Sequence, residues 1–103
     1  MIIKINDKEP VELRFTFSAF TAYEDRWGEP VKIDGISLSR ILSFYYYVVL
    51  CSKKGWQTSA WLKEDEFIEY LNENPETLVE LSDFVGENFA YNELFASKEV
   101  KKK

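Results

Sequence analysis

Phe44-Tyr45-Tyr46-Tyr47-Val48-Val49-Leu50-Cys51 is an unbroken apolar and aromatic run near the middle of a 103-residue chain. No other stretch limits the fold as much. A surface helix shows its core one apolar stripe, whereas a helix that is apolar all round needs cover on several sides. With a helix starting at Leu38, residues Leu38, Ile41, Leu42, Tyr45, Val48 and Val49 recur at helical spacing and form one stripe. Phe44, Tyr47, Leu50 and Cys51 fall on the opposite side. The first stripe suits the chain's own core. The second is covered either by the last two helices or by another molecule. The segment Phe-Tyr-Tyr-Tyr-Val-Val also has high strand propensity, but the length of the pattern from Leu38 to Cys51 selects helix.

The length fits one domain with one modest core. Hydrophobic residues at 46% and charged residues at 30% place the chain among globular rather than disordered sequences. The net charge of −5 is unevenly placed: residues 98–103 hold four lysines and one glutamate, so the remainder carries −8. An acidic body argues against binding a phosphate backbone, so no nucleic-acid partner is expected. The charge also serves to keep a small, aromatic-rich protein soluble. The single cysteine, Cys51, allows no internal disulfide and reads as a buried structural thiol. With no histidine beside it, the common zinc ligand sets are missing, and no cofactor is expected. Met1-Ile2-Ile3-Lys4-Ile5-Asn6-Asp7 has no signal-peptide pattern, and the central apolar run is too short to span a bilayer. A cytoplasmic protein with no membrane partner is the expectation.

Val11-Glu12-Leu13-Arg14-Phe15-Thr16-Phe17 alternates strictly and predicts a half-buried strand. Ile3 and Ile5 alternate before it, and Asn6-Asp7-Lys8-Glu9-Pro10 turns the chain between them. The expected result is an N-terminal β-hairpin whose Ile3, Ile5, Val11, Leu13, Phe15 and Phe17 pack on helices, since a lone hairpin is marginal in water. Ser18 is placed to cap a helix over 19–27 that carries Phe20, Tyr23 and Trp27 and stops at Gly28. Ser37 caps the apolar helix, which ends near Lys53-Lys54-Gly55. Trp56 to Leu62 reads as a loop. Glu64-Asp65-Glu66 opens a helix with Phe67, Tyr70 and Leu71, and Asn74-Pro75-Glu76 opens the last, with Leu78, Leu81, Val85 and Phe89 as its core stripe. The fold class is therefore α+β, a hairpin packed on a bundle of about four helices. Residues 1–97 form the domain and 98–103 a disordered basic tail.

Catalysis has little to work with. The missing histidine removes the commonest general base, and no glycine-rich phosphate loop occurs. Glu24 and Asp25 are adjacent and point to different sides of a helix. Glu64, Asp65, Glu66 and Glu69 read as a solvated face without calcium-loop spacing. The aromatic residues are the better candidates. Trp56 and Trp61 flank a loop, where they either cap the core or anchor a partner, a role in which Trp and Tyr are over-represented. Phe44, Tyr47, Leu50, Trp56 and Trp61 are thus the candidate partner-binding residues of a non-enzymatic protein.

The order of parts carries one more reading. A hairpin of the form Ile-Ile-Lys-Ile-Asn…Val-Glu-Leu-Arg-Phe-Thr-Phe, a short helix, the Leu38–Cys51 helix, Phe67-Ile68-Glu69-Tyr70-Leu71 and a last helix opened by Pro75 together resemble the small tail assembly chaperones of long-tailed bacteriophages and prophages. The resemblance covers residues 2–92 and lies in organisation and composition. The Trp56–Trp61 segment and the aromatic middle helix depart from it. It implies a chaperone that coats a helical tape measure protein, helps recruit tail tube subunits and associates with further copies. It also implies a longer product made by frameshifting, for which consecutive lysine codons at Lys101-Lys102-Lys103 can supply a slip site; the alternative for these lysines is a solubilising tail or a cloning remnant. The rival reading, from a different class, is an acidic inhibitor or DNA mimic acting on a host nucleic-acid enzyme. Steep salt sensitivity would mark the rival.

Overall fold

In the computed structural model the chain is described over residues 1–31, 37–57 and 61–101, with side chains through Asn88. A two-stranded antiparallel hairpin, β1 (Ile2–Ile3) and β2 (Val11–Glu12), precedes four helices: α1 (Phe17–Trp27), α2 (Leu38–Ser52), α3 (Glu64–Glu73) and α4 (Pro75–Lys101). The fold is mixed α+β and mostly helical.

The hairpin is shorter than its alternation predicts. Asn6 takes the left-handed region at φ 51°, which asparagine tolerates, and the Lys8 amide donates to Ile5 O at 2.9 Å to close the turn. Ile3 pairs with Val11 and Ile2 with Glu12; one further bond, Leu13 N to Met1 O at 2.8 Å, ends the ladder. The ladder has already ended at Leu13 when a helix start takes residues 16 and 17. Thr16 is extended and its hydroxyl accepts from the Ala19 amide at 3.3 Å, satisfying one orphan donor of α1. Helix α1 therefore opens at Phe17, not after Ser18, and Phe17 turns outward at 81% exposure. The expectation that Phe17 faces the core is wrong for that reason. Ile3, Ile5, Val11 and Leu13 are buried in the same apolar cluster as the helices, and Phe15 is half-buried against it. Gly28 ends α1 in the left-handed conformation at φ 72°, its amide donating to Glu24 O.

Helix α2 runs through the centre, capped by Ser37 as its sequence predicts. The chain itself covers it on most sides. On the α1 side, the Phe44 ring meets Phe20, Tyr23 and Phe15 at centroid distances of 5.4, 5.8 and 6.1 Å. On the α3 side, Tyr46 lies 6.0 Å from Phe67 and donates its hydroxyl to Leu62 O at 2.7 Å. Toward α4, the Tyr45 hydroxyl is 3.2 Å from Ser82 Oγ. At its end, Ser52 Oγ accepts from the Arg14 amide at 2.8 Å and donates to Val48 O, tying the segment after β2 to the last turn.

The link between α3 and α4 is a single residue. Asn74 donates its amide to Tyr70 O and Leu71 O, and its side chain donates to Tyr70 O at 3.0 Å. The Asn74 side chain thus closes α3 instead of capping α4. Thr77 N donates to Asn74 O, and Pro75 takes the first helical position, where its missing N–H costs nothing. Leu81 and Val85 are buried and Leu78 is half-buried; the Phe89 side chain lies outside the described residues. The α4 backbone is helical to Lys101, past the boundary expected at residue 97, while Lys102 and Lys103 lie outside the described residues.

Candidate functional site

The five aromatic and aliphatic candidates separate. Phe44 is 1% exposed, and Leu50 and Trp61 are each 8% exposed, so these three belong to the core and present no surface to a partner. Their cover comes from this chain. Helix α1 supplies it for Phe44. Trp61 folds back over the end of α2 and donates its indole N–H to Leu50 O at 3.0 Å, supplementing the longer 3.4 Å bond that this carbonyl accepts from the Lys53 amide. Lys53 Nζ sits 5.3 Å from the Trp61 ring centroid. Phe44 and Trp61 are far too well enclosed for the partner role expected of them.

Tyr47 and Trp56 remain half-exposed and come together. With Thr21, Ala22, Asp25 and Arg26 of α1 they line a shallow depression of about 440 Å³. Arg26 also donates to Glu64 at 2.8 Å; that hydrogen bond and the carboxylate's charge raise the already high pKa of the guanidinium. The depression is mixed in polarity and open.

A second concavity, of about 300 Å³, was not foreseen. It lies where the N-terminal end of α2 meets the α3–α4 junction. Leu38 and Leu42 form one wall, Ile68 and Leu71 a second, and Pro75 and Leu78 a third, with Asn72 at the edge. Its lining is almost wholly apolar. Leu38 is 64% exposed, and Val79, one turn along α4 from Pro75, is 62% exposed. The sequence signal was present but misassigned. Leu38 and Leu42 belong to the α2 stripe expected to face the core, yet the first turn of α2 extends beyond the cover that α3 and α4 provide. Ile68 sits one position off the Phe67–Leu71 stripe and widens the apolar arc of α3 toward this groove.

Charge around the groove is one-sided. Residues 64–88 hold nine Asp and Glu side chains and no Lys or Arg. Among the described residues, ion pairs take Glu64 (with Arg26) and Glu66 (with Lys8). Glu66 also accepts from the Lys63 amide, which draws its pKa below the usual carboxylate value. The cation on α2, Arg40, faces away from the groove, pairs with Glu29 and stacks over Trp27 at 4.9 Å.

Comparison with family models, curated proteins and solved structures found no match. The site's chemistry therefore has to speak for itself. Among the described residues no three Cys, Asp or Glu side chains gather as a metal-binding group, and no helix is long and apolar enough to cross a membrane. Burial pushes the Cys51 thiol up to about 11, which leaves it protonated and unreactive at neutral pH. What the surface offers is an apolar slot with an acidic surround, suited to holding another polypeptide.

Proposed function

We propose that this protein is a non-enzymatic tail assembly chaperone of a long-tailed phage or prophage, acting in the cytoplasm of a bacterial host. It binds a helical tape measure protein, helps bring tail tube subunits to it, and forms homo-oligomers along it. The observation that carries this reading is the open groove walled by Leu38, Leu42, Ile68, Leu71 and Leu78. An amphipathic helix seats its i, i+3, i+4 and i+7 anchors in such a groove. In this reading the hairpin packs on the helices as a brace, with Arg14 bonded to Ser52 at the far end of α2. The groove end of the molecule is then free for its partner.

The nine carboxylates of residues 64–88 favour a second reading, the acidic mimic of a nucleic acid. A phosphate mimic has no use for an apolar slot between its carboxylates, and two of the nine are already paired. The chaperone reading is preferred on that ground. Co-expression tests it. The chain should keep the long helical protein encoded beside it soluble and co-purify with it. Recovery of that protein only as an aggregate, with or without the chain, overturns the reading; capture of a host nucleic-acid enzyme favours the mimic.

A further inference from the structure

We propose that the α2–α3–α4 groove selects a cationic amphipathic helix: apolar anchors fill the slot while Lys or Arg side chains on its flanks meet carboxylates of α3 and α4. The inference rests on the binding-protein reading above and adds the partner's charge, which that reading leaves open.

Two observations converge on it. The slot is apolar and carries exposed Leu38 at its mouth. Its flanks are acidic by helical position. Asp65 lies three residues before Ile68 and Glu69 three before Asn72, on the stripe of α3 just outside the groove, and Asp83 lies one turn beyond exposed Val79 on α4. All three are exposed, and the ion pairs of the described residues leave them out. No Lys or Arg of residues 64–88 competes, and Arg40 is held on the other side of α2 by Glu29 and Trp27. An acidic helix entering this slot would meet like charge on both flanks. A cationic one gains complementary charge, and with it a faster and more selective encounter.

The test uses the full chain and three synthetic, fluorescein-labelled amphipathic peptides of about 18 residues, long enough for several helical turns. They share one leucine pattern and differ only in whether the polar face is Lys, Gln or Glu. Anisotropy titration should rank Lys over Gln over Glu, with Lys at least about tenfold tighter than Glu. That preference should shrink between about 50 and 300 mM salt as the flanking charges are screened. Leu38→Glu should weaken the Lys peptide about tenfold, while Phe17→Glu, at a still more exposed apolar position on α1, should not change it. The exposed pair Asp65→Lys with Glu69→Lys should reverse the ranking; far-ultraviolet circular dichroism of each variant confirms that it is folded. Equal binding of the three peptides, lost with Leu38→Glu, overturns charge selection and leaves the groove reading standing. No binding of any peptide overturns the groove reading itself. A Leu38-dependent self-association that blocks all three peptides overturns the proposal in favour of a second copy as occupant.

Discussion

Tyr23 shows how far the aromatic core has been pressed. Its side chain is fully buried, in edge contact with Phe44 and beside Trp27, and its hydroxyl finds no hydrogen-bond partner among the described residues. A buried hydroxyl without a partner carries an uncompensated desolvation cost. Tyr23→Phe keeps the ring and removes the orphan. It should leave stability to urea unchanged or raise it by up to about 1 kcal/mol; a clear loss would show that the hydroxyl has a partner after all. Tyr46 and Cys51 set the alkaline limit. Burial pushes the Tyr46 phenol up to about 12 and the Cys51 thiol to about 11. Both groups fold in the neutral form, so their contribution is complete below their unfolded values and is lost as pH rises through the folded ones. Urea midpoints should therefore hold near neutrality and fall progressively from about pH 9 to about pH 12. A midpoint that stays flat over that window would contradict the burial of both groups.

At the scale of elements, the cap at Thr16 decides where α1 begins. Thr16 is the cap, so Thr16→Ala should lower stability by about 1 kcal/mol. Ser18→Ala should do much less, since Ser18 lies inside α1 and caps nothing. Equal losses in the two variants would move the helix start back to where the sequence pattern put it. Helix α4 contains the opposite opportunity. Gly86 sits in its interior, and a Cβ there meets nothing within 4 Å among the described residues. Gly86→Ala removes unfolded-chain entropy at no steric cost and should add about 0.5–1 kcal/mol. For a chain of this size that is a rise of a few degrees, roughly 4–8 °C per kcal/mol, in the thermal midpoint. No rise would mean that this turn of α4 is frayed in solution.

For the whole molecule, the long last helix dominates the shape. The extents are 49 × 29 × 26 Å, and the radius of gyration is 14.1 Å, above the roughly 13 Å of a compact chain this long. A helix of 27 residues rises about 40 Å, most of the long dimension. The last buried position of α4 among the described residues is Val85, well before the basic end. Truncation after Ser97 should therefore leave the thermal midpoint nearly unchanged, because a polar chain end has few contacts to lose. A fall of several degrees by calorimetry would show that residues 98–103 dock on the body.

Local chemistry was enough to read much of this chain. Ser37 with the Leu38–Cys51 pattern specifies α2, Gly28 the end of α1, and Asn74-Pro75 the break before α4, because caps, left-handed stops and a proline's missing donor act within one turn of where they stand. The buried hairpin residues Ile3, Ile5, Val11 and Leu13 follow from alternation alone. What covers α2 was not legible, since periodicity names an apolar face without naming its neighbour. Only the packed chain shows Phe44 enclosed by α1 and Trp61 returned over Leu50, or that α3 and α4 stop short of Leu38. The candidate site exists because of that shortfall. It is a property of where three helix ends meet, which brings together residues as far apart in the chain as Leu38 and Leu78.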